Sequence, residues 1–239
     1  MCTLDEKMGR NEMARKRHRH RRKTRFMRRM RLYTRVGMFL LISIMVVLIG
    51  MKFFEVGPFQ SKYVELSDAN MKVTKPSIDV NLLTVNPYSR PGTQSDKIKN
   101  IVIHYTANPG TTAEQNRNYF DGLKDSRKTR ASSHFIVGIK GEIVQCVPTW
   151  EIAYASNERN ADTVSIETCH KTKEGTYTRE TYESMVHLTA WLCEKFGLTE
   201  DDVIRHYDVT GKNCPKYFVE NENAWKEFKA DVKNVLEAE

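Results

Sequence analysis

Asn100-Ile101-Val102-Ile103-His104-Tyr105 is a short β-branched run of the kind that forms a strand covered on both faces. A second run, Thr163-Val164-Ser165-Ile166-Glu167-Thr168, repeats it sixty residues on. Between them, Thr111-x-x-Glu114 reads as a capping box opening a helix to about Asp125. His134 to Ile139 and Glu142 to Val147 flank Lys140-Gly141, the pattern of a hairpin. Thr178 begins an amphipathic helix with Met185, Leu188, Leu192 and Phe196 on one face, and Gly197 stops it. Val203 to His206 is a last short strand, and Asn223 to Leu236 a terminal helix. Strands interleaved with helices predict an α/β domain, a mixed central β-sheet flanked by helices, over 77–239. No internal repeat is present.

Upstream, Pro76 to Gly92 carries turn signals at Asn86-Pro87 and Arg90-Pro91-Gly92 and is expected to lie against the domain. Residues 55–76 read as a stalk. Val36 to Met51 is sixteen residues without a charge, and with Lys52, Phe53 and Phe54 it approaches the length that crosses a bilayer. A tail, 1–35, precedes it with fourteen Lys and Arg against three acids, or +11. The whole chain carries +8, so the other 204 residues carry −3. The basic character therefore belongs to the tail, which is expected to be disordered or surface-bound, and the slightly acidic domain is a poor grip for a polyanion. A single membrane span, 36–54, with the tail in the cytoplasm and the domain outside, follows from where basic residues stay. A cleavable signal peptide is the rival. The apolar run is not followed by a small-x-small pair, which favours an uncleaved anchor. The same tail sits well against anionic lipid, and no nucleic-acid partner is assigned to it.

The five cysteines make no disulfide framework, although a bridge among Cys146, Cys169 and Cys193 is left open on an oxidising side of the membrane. His104 and His206 each end a β-branched run, and Cys214 follows the second by eight positions. Imidazole and thiolate are ligands that Zn²⁺ favours, and three protein ligands leave a fourth place for water. The spacing is looser than that of short zinc motifs, and a lone strand histidine is often only a hydrogen-bonded structural residue.

Four blocks occur in order: I-V-I-H-Y-T-A-N (Ile101 to Asn108), S-S-H-F-I-V-G-x-x-G-E-I-x-Q (Ser132 to Gln145), S-I-E (Ser165 to Glu167) and R-H-Y-D-V-T-G-K-N-C-P (Arg205 to Pro215). Together they resemble the type-2 N-acetylmuramoyl-L-alanine amidase family, whose fold is shared by phage lysozyme-amidases, bacterial autolysins and peptidoglycan recognition proteins. The likeness runs from about Ile98 to Phe228. The N-x-Y-S-R-P-G segment resembles one seen in membrane-tethered members from Gram-positive bacteria. The resemblance implies that His104, His206 and Cys214 hold Zn²⁺, that Glu167 is the general base, and that Lys212 stabilises charge. It implies hydrolysis of the amide between N-acetylmuramic acid and L-alanine of peptidoglycan. Some members have a catalytic tyrosine where this chain has Ser133, which leaves that role to Glu167. His134 matches a residue of varying role and is read as structural. Arg90, Asn108, Tyr154 and His170 are candidates for glycan or peptide contact, each equally open to a structural role.

Chemistry agrees with this assignment. Zn²⁺ lowers the pKa of its water and polarises a carbonyl. A carboxylate can carry the proton from that water to the departing amine, and an ammonium can stabilise the negative oxygen that forms. Glu167 shares a strand face with Ser165, opposite Val164 and Ile166, which argues against a plain surface carboxylate. Lys212 taken alone would be a solvated turn lysine. A non-catalytic peptidoglycan-binding module on the same fold is the alternative. Such relatives commonly lose the cysteine, and here it is present. An enzyme cutting a stem-peptide amide, and a tethered nucleic-acid binder using the tail, are further rivals. The oligomeric state is not legible.

Overall fold

The computed structural model describes residues 4–53 and 63–238 and divides the chain into two compact units, Met1–Gln60 and Ser61–Glu239.

The first unit is one helix, α1 (Leu4–Phe53). The basic tail, for which disorder is one expectation, is helical from Leu4, because Arg, Lys and Met are good helix formers. Within it, Met27–Lys52 is long and apolar enough to cross a bilayer, with a mean hydropathy of 2.2 and none of its best window buried. Of the expected stalk, residues 55–62 lie outside the described residues.

The second unit is built on a six-stranded sheet. Its strands are β1 (Asp79–Val80), β2 (Asn100–Tyr105), β3 (Phe135–Val137), β4 (Ile143–Gln145), β5 (Thr163–Thr168) and β6 (Val203–Arg205), in the order β1-β4-β3-β5-β2-β6. Strands β2, β3, β5 and β6 run parallel, while β4 turns back on β3 as the expected hairpin. Buried Ile101, Ile103, Val164 and Ile166 point to one face, where α3 (Arg179–Phe196) and α6 (Glu222–Glu237) pack. Buried Met185, Leu188 and Leu192 of α3 each contribute about 1.5–3 kcal/mol of burial. On the other face α2 (Ala113–Ser126) lays Phe120 and Leu123 near Ile136 and Val144. Helix α3 starts at the Thr178 cap and stops at Gly197, whose φ of 66° ends the helix in the left-handed conformation.

Three local expectations are corrected. The cap of α2 is Thr112 with Gln115, one residue later than expected, because the Thr111 hydroxyl is spent on the Asn108 carbonyl at 2.7 Å. His206 does not end β6. It opens a short helix, α4 (His206–Thr210), because the Asp208 carboxylate accepts the Arg205 N–H at 2.8 Å and turns the chain. A further short helix, α5 (Lys216–Glu220), precedes α6.

The segment from Tyr63 to Val73, expected to be stalk, is a strap on α3. Leu66 donates its N–H to the Lys195 carbonyl at 2.7 Å, and Lys72 and Val73 donate theirs to the Glu194 carboxylate, both at 2.7 Å. Val73 is buried, and Tyr63 meets Phe196 edge-on. The Cα partners His104 and Glu167 lie near the C-terminal ends of β2 and β5. Helix α3 runs back from those ends, so the strap holds the domain at the opposite pole, where Asp202 accepts a hydrogen bond from Asn100 at the start of β2.

Candidate metal centre and catalytic cleft

His104 is fixed before any ligand arrives. It sits on β2, an interior strand between β5 and β6, is 2% exposed, and its carbonyl accepts the Thr168 hydroxyl of β5 at 2.6 Å. His206 and Cys214, 7% and 2% exposed, come from one loop after β6. That loop is closed by the Tyr207 N–H donating to the Cys214 carbonyl at 2.9 Å and is turned at Gly211, with φ at 75°. The donor atoms of the three side chains lie within 4.8 Å of one another. Cys214 Sγ is 3.9 Å from His104 Nδ1, and the two imidazoles stand 4.6 Å apart between centroids. Three soft or borderline donors held this close are a set that one metal ion can share.

Burial first, then the neighbouring His206 and Lys212, hold the His104 pKa well below its ordinary value. The same burial and Lys212 lower His206. Both rings are therefore neutral near neutral pH, the state in which imidazole binds metal. Burial, aided by Glu167, pushes the Cys214 thiol up to about 12. Metal binding there must displace a proton, since the thiolate is the ligand.

A cavity of about 240 Å³ opens over these residues, lined also by Tyr105, Arg130, Tyr154, Asn157, Glu167 and Lys212. Glu167 extends from β5 beside His104, with Oε2 shielded from solvent and without a hydrogen-bond partner. Burial pushes its carboxyl up to about 8, against the pull of the Lys212 ammonium. Lys212 is exposed on the rim. The cleft thus holds three donors, an unpartnered carboxyl with a pKa near neutrality and a free cation. A groove of about 280 Å³ between α3, α5 and α6 is lined by Tyr177, Tyr182 and Tyr217 with Arg179 and Glu227, and its lining includes no histidine or cysteine.

Residues 94–217 match the family model described as N-acetylmuramoyl-L-alanine amidase. The chain belongs to this amidase family. It is 36% identical over 168 residues to a probable N-acetylmuramoyl-L-alanine amidase of Bacillus licheniformis, covering 65% of this chain and 47% of that protein. It is 35% identical over 172 residues to the N-acetylmuramoyl-L-alanine amidase BlyA of Bacillus subtilis, covering 63% and 45%. The amidase-family chain therefore spans about half the length of the curated relatives it matches. A solved structure titled as a mutant endolysin from Bacillus subtilis aligns with a TM-score of 0.55 at 26% identity, over 65% of this chain and 98% of that one.

Among the other residues singled out in the amidase-family sequence, Tyr154 lines the cavity with Arg130 at 5.8 Å from its ring, whereas Asn108 is exposed. Arg90 is spent on a two-pronged pair with Glu151, at 2.8 and 2.7 Å, and on the Leu83 carbonyl at 2.9 Å. It pins the N-x-Y-S-R-P-G segment to the domain. His170 is buried and stacked on Tyr105 at 5.1 Å. His134 is structural: Nδ1 accepts the Ser165 N–H at 3.0 Å, and Nε2 donates to the Glu151 carbonyl at 2.9 Å. Ser133 spends its hydroxyl between β3 and β5 and does not line the cavity. The described cysteines 146, 169, 193 and 214 are all unpaired and buried. Sequence reasoning missed Ser156 and Asn157, which face the two imidazoles from a loop with no periodic signal.

Proposed function

We propose that the chain is a zinc-dependent N-acetylmuramoyl-L-alanine amidase that hydrolyses the amide between N-acetylmuramic acid and L-alanine in peptidoglycan. The observation that carries this reading is the grouping of His104, His206 and Cys214 beside the unpartnered Glu167 carboxyl in one cleft of an amidase-family domain. Two imidazoles and one thiolate are a donor set that would suit zinc better than the oxygen-loving cations. Zinc supplies Lewis acidity and a water of lowered pKa.

The protein's own groups account for the rest. Glu167, whose metal-free pKa burial raises to about 8 and which a nearby cation would return toward the ionised form, takes a proton from the attacking water and delivers it to the departing amine of L-alanine. The low-dielectric wall that raises that pKa also strengthens the carboxylate as a base. Lys212 lies close enough to lower the pKa values of His104, His206 and Glu167, and its fixed charge stabilises the oxyanion of the tetrahedral intermediate. Tyr154 and Arg130 border the space where the stem peptide lies.

The apolar part of α1 serves as the anchor in this reading. The basic residues before it set the N-terminus in the cytoplasm near anionic lipid, and the domain meets the wall outside.

The test is incubation of the full chain, in detergent micelles, with purified peptidoglycan, with and without a zinc chelator, and with mass spectrometry of the products. Free stem peptides beginning at L-alanine and formed only with metal are expected. Peptides cut elsewhere would show another amidase specificity, and wall binding without release would show a recognition module. Glu167→Ala keeps zinc and loses turnover by at least a hundredfold, on the scale of a lost general base.

A further inference from the structure

We propose that Asn157 is a positioning residue that aims the His206 imidazole at the metal, and this rests on the zinc reading above. His104 is locked inside the sheet, but His206 opens a five-residue helix at a strand edge. Its ring direction therefore depends on what lies beside it. Asn157 Oδ1 lies 3.3 Å from His206 Nε2, and Ser156 Oγ lies 3.5 Å from His104 Nε2. An amide oxygen only accepts, so Nε2 of His206 carries the proton and Nδ1 is left as the donor. His104 is arranged alike, with Nδ1 toward the Cys214 sulfur and Nε2 toward the neighbouring hydroxyl. Two adjacent residues thus face the same edge, Nε2, of both rings; the Asn157 amide oxygen fixes the tautomer of His206, whereas the Ser156 hydroxyl can donate or accept. Outer partners of this kind fix ring orientation and raise ligand basicity.

The backbone shows that this contact is held against a local preference. Asn157 has a φ of 52°, in the left-handed region, one of three non-glycine residues there among the described residues. Asparagine tolerates that conformation better than most residues, but glycine adopts it without cost. The loop is braced at this setting by Asn160, whose Oδ1 accepts the N–H groups of Ala155 at 3.0 Å and Ser156 at 2.6 Å. The side chain placed by this turn reaches the His206 ring at Nε2, the nitrogen not left for the metal, and lines the cavity. A glycine at 157 would satisfy the turn and lose the contact, so stability and metal binding respond to it differently.

The experiment compares the full chain in micelles with Asn157→Gly and Asn157→Asp. Zinc affinity is read by competition with a chromophoric chelator, and the metal-free melting temperature is read in parallel. Asn157→Gly is expected to weaken zinc binding about 10–100-fold, while its metal-free melting temperature stays level or rises. Asn157→Asp keeps an accepting oxygen at the same place and is expected to restore most of the affinity. Zinc binding by Asn157→Gly within threefold of wild type overturns the inference. So does an affinity loss in Asn157→Asp equal to that in Asn157→Gly. Failure of the wild-type chain to bind zinc removes the metal reading itself, a result separate from either.

Discussion

Glu167→Gln in the metal-free protein removes a proton-binding site that differs between the folded and unfolded states. Burial raises the folded pKa from 4.5 to about 8. The unfolded chain releases that proton near 4.5, whereas the folded chain keeps it to about 8. Glu167 therefore contributes stability fully below pH 4.5, and the contribution is lost as pH rises through 8. Above that window the native state carries a carboxylate whose Oε2 is shielded and unpartnered. At about 1.4 kcal/mol per tenfold change in proton affinity, discounted for the partial exposure of the side chain, wild type should lose on the order of 2–4 kcal/mol relative to Glu167→Gln between pH 5 and pH 8. His104 and His206 titrate in both proteins and cancel in the difference. Urea unfolding at pH 5, 6, 7 and 8, with chelator present, measures it. A wild-type minus Glu167→Gln difference that stays flat across those four values refutes the argument. Zinc should narrow the gap, because a nearby cation favours the ionised carboxyl.

Three further outcomes are expected. Cys214→Ala should lose stoichiometric zinc, read by metal analysis after dialysis, and full retention would mean that the third donor is another residue. Glu194→Ala strands the part-buried Val73 N–H and frees the exposed Lys72 N–H to water, and should cost about 1–3 kcal/mol. Its melting temperature should fall by several degrees, and a chain begun at Ser77 should lose at least as much stability relative to one begun at Ser61. Arg205→Lys keeps the charge but not the fork that binds Asp208 at 3.1 and 2.9 Å together with Glu222 at 2.8 Å. Its melting temperature should drop more than that of Glu222→Gln, as measured by circular dichroism.

The parts of the fold that follow a period were legible. Alternation in Thr163 to Thr168 placed Glu167 opposite the apolar pair, and parallel pairing with Asn100 to Tyr105 then set it beside His104. Helix α3 was legible from Met185, Leu188, Leu192 and Phe196 and from its Thr178 and Gly197 ends. The cap of α2 slipped by one because Thr111 and Thr112 fit the same pattern, and only the tertiary turn at Asn108 separates them. The strap escaped notice for a different reason. Its partners, Glu194 and Lys195, lie more than a hundred residues away, and its own composition is that of a linker. Asn157 was invisible because loop residues carry no period, and a left-handed φ at asparagine leaves no mark in sequence.

The strap at the far pole has a practical side. The strap therefore leaves the domain on the side away from the mouth of the cleft. The domain can be fixed to a bead or a sensor surface through that end, with its cleft still turned outward.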